Sequence, residues 1–183
     1  MEFRLVYRGP LPARQRAVAA EKHRIREAFH PQLKALWREP PLVGHLNLDH
    51  PFGDPHLGGT IQQVGPLHCL PLVPGHHGMA AHLDITLLRP ERSGTVITTS
   101  GDLDNRLKTL FDALRMPKDL SELPKNIGPL PDGEVLHCLL EDDALITEAA
   151  VRADRLLGAT DPSEVFALIH VRVSGVRPPG LLG

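Results

Sequence analysis

Alternation of apolar and polar residues is clearest in three stretches of the chain. Residues 2–8, 80–89 and 164–174 carry an apolar side chain at nearly every second position, which is the period of a strand with one buried face. Shorter strand candidates are residues 60–64, 67–73, 95–99 and 134–140. Residues 144–157 fit a strand and a helix equally well. The pattern therefore predicts a sheet whose strands are spread along the whole chain.

Two other stretches follow the helical period. Residues 102–115 are predicted to form a helix with one apolar stripe. That stripe consists of Leu103, Leu107, Leu110 and Leu114. Residues 12–30 are predicted to form the other helix, and Pro31 is expected to kink or break it near His30. The apolar face continues to about residue 38.

Helices and strands that intermix along 183 residues favour a single domain of the α+β (α/β) class. We expect one mixed β-sheet with helices packed mainly on one face. Four segments depart from this pattern: a basic helical segment (12–38), a Pro/Gly/His-rich insertion (39–79), a second insertion (116–137) and a short C-terminal tail (176–183) that we expect to be frayed.

The amino-acid composition indicates the cellular compartment in which we expect the protein. The chain has no run of about 20 apolar residues, and its first residues lack the apolar core of a signal peptide. Two cysteines do not make a disulfide framework. We therefore expect a reduced, cytoplasmic protein with no membrane partner.

Charge is distributed unevenly. The net charge is -2, yet residues 1–39 hold nine basic and four acidic residues. This excess of basic residues is typical of a surface that binds a polyanion, although a solvated helix face would have the same composition. The candidate DNA contacts in this segment are Arg14, Arg16, Lys22, Arg24 and Arg26. Further candidates, each of which could simply face solvent, are Arg106, Arg115 and Lys118.

The predicted helix at residues 102–115 also carries acids. Asp102 lies at or before its start, and Asp104 and Lys108 lie together on the flank of the leucine stripe. A helix cap and an ordinary i,i+4 ion pair would explain these residues as well. A second acidic cluster, which ends in Asp142 and Asp143, is flanked by apolar runs. Because carboxylates brought together need a cation, this pairing favours Mg²⁺ or Mn²⁺.

As a joint pattern these residues resemble the RusA-type Holliday junction resolvases. The resemblance runs through Asp102, Asp104, Asn105, Lys108, Asp112, Ala113, Leu114, Asp142, Asp143 and Ile146. It covers about a quarter of the chain. It implies a RusA-like fold and a homodimeric, Mg²⁺-dependent endonuclease that cuts branched DNA, such as four-way junctions, in recombination and repair.

The resemblance also implies a role for each matched residue. Metal binding would fall to Asp102, Asp104, Asp142 and Asp143. The catalytic set would be Asp102, Asp104, Asp143 and Lys108, with the lysine positioning the attacking water or stabilising the phosphate. Asn105 and Asp112 would support the catalytic residues without binding the metal directly. The reaction would be hydrolysis of a phosphodiester bond, with Mg²⁺ neutralising the phosphate and the leaving oxygen.

Two other functions remain open. A protein of the same fold could bind DNA as an accessory of a mobile element, with its catalysis weakened or lost. A zinc-stabilised interaction module could form in the histidine-rich segment, which contains His45, His50, His56, His68, Cys69, His76, His77 and His82. The tight Cys-x-x-Cys spacing of zinc sites is missing there.

Overall fold

The computed structural model of the protein describes residues 1–12, 18–43, 60–90, 102–159, 161 and 163–175. Within these ranges the chain forms two α-helices and seven strands, which confirms the α+β class. In chain order they are β1 (Glu2–Pro10), α1 (Ala19–Leu36), β2 (Gln62–Val64), β3 (Leu67–Val73), β4 (Met79–Arg89), α2 (Asp102–Leu114), β5 (Leu136–Leu140), β6 (Ile146–Arg155) and β7 (Glu164–Gly175).

The strands are divided between two mixed sheets rather than one. The larger sheet has the order β1-β7-β4-β6, in which β4 and β6 are parallel and the other neighbours antiparallel. The smaller sheet has the order β2-β3-β5, with β3 and β5 parallel. The short strands predicted at residues 60–64 and 67–73 are confirmed as β2 and β3, and the ambiguous stretch at 144–157 is the strand β6.

Helix α1 corrects the expectation of a break near His30. The helix continues through Pro31 to Leu36. Gln32 fastens this second half to the edge of the large sheet, because its amide accepts from Val6 N (2.9 Å) and donates to Val6 O (2.7 Å). Docking on β1 therefore offsets the hydrogen bond that proline removes.

The main core lies between the large sheet and the two helices. Helix α1 packs against β1, β5 and α2, and its Ile25, Phe29 and Leu33 are buried. Each such side chain contributes about 1.5–3 kcal/mol. Leu110 and Leu114 of α2 join the same core. The opposite face of the large sheet stays at least partly exposed, so the expectation of helices mainly on one face is confirmed.

A smaller core forms between the small sheet and the segment that follows α2. It includes Cys69 and Cys138, both free thiols, together with Met116 and Leu123. Part of the predicted insertion at 116–137 is therefore built into the fold. The predicted strand at residues 95–99 and the tail 176–183 lie outside the described residues. In the described part of the chain, no helix has the length and apolar character needed to span a membrane.

Candidate functional site

The acid turn, residues Glu141–Asp143, follows β5 directly. Its entry is fixed by the parallel pairing of β3 and β5, and Glu141 N donates to Val73 O at 3.1 Å. Asp142 then caps a short 3₁₀ helix (Asp143–Leu145) by accepting from Ala144 N at 2.9 Å. Two carboxylates of neighbouring residues, Asp142 and Asp143, are thus held at the end of a buried strand, each side chain about two-fifths exposed (40% and 41%).

Two cationic side chains already lie close to this pair of carboxylates. Lys118 Nζ lies 2.9 Å from Asp142 Oδ2 and 3.6 Å from Asp143 Oδ1, and Arg115 Nε lies 3.7 Å from Asp143 Oδ1. The backbone N–H of Ala144 and the Lys118 ammonium lower the pKa of Asp142 to about 2. The hydrogen bond with Asp142 raises the pKa of Lys118 in turn. Asp142 is therefore ionised at neutral pH and attracts positive charge.

Behind the acid turn lies the arginine cluster, which we define as Arg26, Arg115 and their acidic partner Glu122. Arg115 Nη2 contacts Glu122 Oε1 at 2.7 Å, and Arg26 Nη2 contacts Glu122 Oε2 at 3.2 Å. Arg26 also donates to the backbone oxygens of Asp112 (2.7 Å) and Arg115 (3.0 Å). Burial disfavours the charged form of Glu122, but Arg115 lowers its pKa to about 2. The cluster joins α1, the end of α2 and the segment after it.

The start of α2 carries the other predicted ligands. Asp102 is the first helical residue, and its side chain lies outside the described part of the structure. Asp104 and Lys108 are exposed and form an i,i+4 ion pair at 2.7 Å. The backbone oxygen of Asn105 accepts from Thr109 Oγ1 at 2.9 Å. This turn of the helix therefore presents charge to solvent.

The acid turn belongs to a segment that packs against α2. The 3₁₀ helix that begins at Asp143 contacts both α2 and β4. Arg115, the residue after α2, pairs with Leu140 just before the acid turn. Asp104 lies eleven residues before Arg115, which is about 16 Å along a helix axis. The contact of the acid turn with Arg115 therefore lies at the C-terminal end of α2, whereas Asp104 lies near the other end of that helix.

A divalent cation is the group that the sequence pattern implies, and the donor chemistry of the acid turn fits it. Asp142 and Asp143 offer neighbouring carboxylate oxygens, which hard cations prefer. No group of three His, Cys, Asp or Glu side chains that could hold a metal exists among the described residues. Asp104 is described and is therefore not brought together with Asp142 and Asp143 in this fold, while the side chain of Asp102 lies outside the described part.

Three of the predicted DNA contacts need correction. Arg26, Arg106 and Arg115 are 2%, 8% and 3% exposed, so they cannot reach a nucleic-acid backbone in this fold. Arg26 and Arg115 form the arginine cluster, and Arg106 donates to the backbone oxygen of Leu11. These cations serve the protein's own carbonyls and carboxylates, because a buried charge needs such partners.

The other predicted contacts have mixed outcomes. Arg24 is exposed and donates to Pro10 O at 2.7 Å. Lys22 is largely covered and contacts Asp112 at 2.7 Å, so Asp112 supports the helix packing rather than the acid turn. Lys118 is exposed beside the acid turn. Arg14 and Arg16 lie outside the described residues.

The histidine-rich segment gives the zinc hypothesis no support where it is described. His76 and His77 contact each other on an exposed 3₁₀ helix (Gly75–His77), whereas Cys69 is buried. The described residues hold no metal-binding group, as noted above. His45, His50 and His56 lie outside them.

A histidine pair that the sequence pattern did not indicate lies between α1 and β5. His30 accepts from His137 N through Nδ1 at 3.0 Å and donates through Nε2 to Glu134 at 3.1 Å. His137 Nδ1 donates to Val135 O at 3.0 Å. Burial lowers the pKa of His137 to about 4. Burial also lowers the pKa of His30, and only the contacts of the two rings in the fold reveal this pair.

Comparison with protein-family models, with curated proteins and with solved structures finds no match to this chain. The resemblance to RusA-type resolvases therefore stands on its own residues, namely the first turn of α2, Lys108 and the acid turn.

Proposed function

We propose that this protein hydrolyses phosphodiester bonds in branched DNA with the help of Mg²⁺ or Mn²⁺. The observation that carries the proposal is the acid turn. Asp142 and Asp143 lie in a turn that contacts α2, and the first turn of that helix holds Asp102 and Asp104. Carboxylates of this type suit a phosphate-cleaving metal site, and the proposal requires the acid turn and the first turn of α2, which this fold holds at opposite ends of the helix, to share one ion.

Each residue would have a distinct task. Asp142 and Asp143 would hold the cation, with Asp102 and Asp104 completing its ligands. When bound, the ion would neutralise the scissile phosphate and lower the pKa of water. Lys108 is 68% exposed at the side chain, so its ammonium is free to turn from Asp104 toward a phosphate oxygen. One positive charge there would matter more for turnover than for DNA affinity.

Phosphate contacts outside the acids have fewer candidates than the sequence suggested. Lys118 and Arg24 are the exposed cations among the described members of the predicted set. Lys118 is nearest to the acid turn and would meet a phosphate beside the cation. Arg24 lies at the start of α1, close to the basic residues Arg14 and Arg16 in sequence.

A nicking assay on a synthetic four-way junction tests the proposal. We expect the wild-type protein to cut with Mg²⁺ or Mn²⁺ and Asp104→Asn to lower the rate by about a hundredfold or more. Folding should survive, because the exposed Asp104–Lys108 pair contributes less than about 1 kcal/mol. Asp132→Asn is the matched control, since Asp132 is exposed in the second insertion and asparagine tolerates its positive φ of 53°.

The same assay separates the alternatives. Cleavage by Asp104→Asn at the wild-type rate would remove Asp104 from the site. Tight junction binding without cleavage, with either metal, would favour the DNA-binding accessory over the nuclease.

A further inference from the structure

Three polar side chains meet on the face of the large sheet that points away from the main core. Ser174 of β7, His82 of β4 and Glu148 of β6 lie on neighbouring strands. His82 Nε2 lies 3.2 Å from Ser174 Oγ, and His82 Nδ1 lies 3.1 Å from Glu148 Oε2. A hydroxyl, an imidazole and a carboxylate are therefore joined in series by two hydrogen bonds.

The strand register produces this order. His82 lies directly opposite Glu148 on the parallel strand β6, and Ser174 lies diagonal to it on the antiparallel strand β7. The β4–β6 register shifts by one residue just before His82. Without that shift, Thr147 would take the place of Glu148 beside the imidazole. Irregularities of this kind re-aim a side chain, and they are common next to active sites.

The carboxylate of Glu148 determines which nitrogen of the ring faces the serine as an acceptor. Because a carboxylate only accepts, the proton of a neutral His82 ring lies on Nδ1, and Nε2 is left as an acceptor. Ser174 then donates its O–H to Nε2. This is the arrangement in which an oriented general base activates a serine nucleophile.

All three groups are accessible, and a cation lies beside them. Ser174 is exposed, and the side chains of His82 and Glu148 are 32% and 58% exposed. Arg172 lies directly opposite His82, two residues before Ser174 on the same face of β7. Its guanidinium lies 3.8 Å from Glu148 Oε1. A positive charge at this position stabilises negative charge that develops on a carbonyl oxygen during attack.

We propose that Ser174, His82 and Glu148 form a second active site, which hydrolyses carboxylic esters. Ser174 Oγ bonds to the carbonyl carbon while its proton passes to His82 Nε2. The bond from that carbon to the alcohol oxygen then breaks, and the alcohol leaves with the proton. Water attacks the resulting acyl-serine with His82 again as base, which releases the carboxylic acid and restores the hydroxyl. Glu148 is a positioning residue that holds the imidazole, and Arg172 stabilises the negative oxygen of both intermediates.

This site is separate from the acid turn and uses protein groups alone. It is therefore measured in EDTA, which removes the divalent cation that the proposed nuclease needs. Failure of one proposal consequently leaves the other intact.

Labelling with diisopropyl fluorophosphate tests the nucleophile. Ser174 Oγ would bond to phosphorus, fluoride would leave, and the proton would pass to His82. Ser163 is the matched internal control, because it is exposed and its hydroxyl donates to a carboxylate, Asp161 Oδ1, at 2.7 Å rather than to an imidazole. Peptide mass spectrometry of the wild-type protein compares the two serines in one sample, so this comparison requires no variant to fold.

We expect Ser174 to be labelled at least about a hundredfold faster than Ser163, which is the contribution of a general base. His82→Gln should reduce the labelling of Ser174 to the rate of Ser163. Glu148→Gln should slow it at least about tenfold, whereas Glu164→Gln, at the far end of the same face of β7, should leave it unchanged. Equal labelling of the two serines in the wild-type protein would overturn the proposal.

Hydrolysis of 4-nitrophenyl acetate in EDTA tests turnover. Ser174→Ala should lower kcat at least about tenfold. Glu148→Gln should lower kcat and leave KM unchanged, a split that a merely structural role of this carboxylate would not produce. Ester hydrolysis by Ser174→Ala at the wild-type rate would also overturn the proposal.

Discussion

Replacing Glu122 with glutamine should destabilise the protein although Glu122 lies in a segment that the sequence marked as an insertion. Its carboxylate is the shared counter-charge of Arg26 and Arg115, whose side chains are 1% and 4% exposed. The amide keeps the shape of the side chain and removes its charge. Two buried guanidinium groups then lose an ionic partner that water cannot replace.

The magnitude follows from the protonation of Glu122. Its pKa is lowered from 4.5 to about 2, and this difference corresponds to about 3 kcal/mol in favour of the folded state at neutral pH. Because the folded pKa is the lower one, this stabilisation is complete above pH 4.5. It is lost as the pH falls from 4.5 toward 2. Glu122→Gln should therefore lower the free energy of unfolding by about 3 kcal/mol at pH 7.

Urea unfolding at several pH values measures both effects. Glu164→Gln is the matched control, because Glu164 pairs with the exposed Arg8 at 2.6 Å, and such a surface pair contributes about 0–1 kcal/mol. Glu122→Gln should lose its part of the acid-dependent slope between pH 4.5 and 2, whereas the control keeps it. A loss below 1 kcal/mol at pH 7, with the wild-type acid slope intact, would refute the role of Glu122.

Two further predictions concern the acid turn and the histidine pair. Lys118→Met should increase Mn²⁺ affinity in calorimetry, because it removes the ammonium that now lies 2.9 Å from Asp142; unchanged or weaker binding would show that this lysine does not compete with the ion. The free energy of unfolding should also fall by about 3 kcal/mol as the pH drops from 6.5 to 4, because His137 is neutral in the fold with a pKa of about 4 and takes a proton on unfolding. The slope in this range should shrink in His137→Gln, and an identical slope in both proteins would speak against it.

The most reliable predictions came from segments in which apolar residues recur with the regular period of a helix or of a strand. The leucine stripe of α2 and the alternation of β4 and β7 arise because each has one buried face. Strand β6 could not be assigned, since both of its faces are exposed and its sequence carries no alternation. The helix through Pro31 escaped prediction as well, because Gln32 contacts Val6, which lies 26 residues away in the chain.

The number of charges along the sequence does not indicate which of them are exposed. Nothing local distinguishes Arg24, which is exposed, from Arg26, which is buried two residues later. The partner that neutralises Arg26 is Glu122, 96 residues further along the chain. The acid turn could be located from sequence because its flanking apolar runs require a strand end. The cations that face the acid turn could not be predicted from sequence, since Arg115 and Lys118 reach it through tertiary packing.

The most direct measurement of the central claim is a crystal structure of the protein soaked with Mn²⁺ and recorded at a wavelength where manganese scatters anomalously. The account predicts an anomalous peak bound by Asp142 or Asp143 together with Asp104 or Asp102, with Lys118 moved away from the acid turn. A protein that shows no such peak at saturating Mn²⁺, or that binds the ion only elsewhere, would contradict the proposed nuclease site.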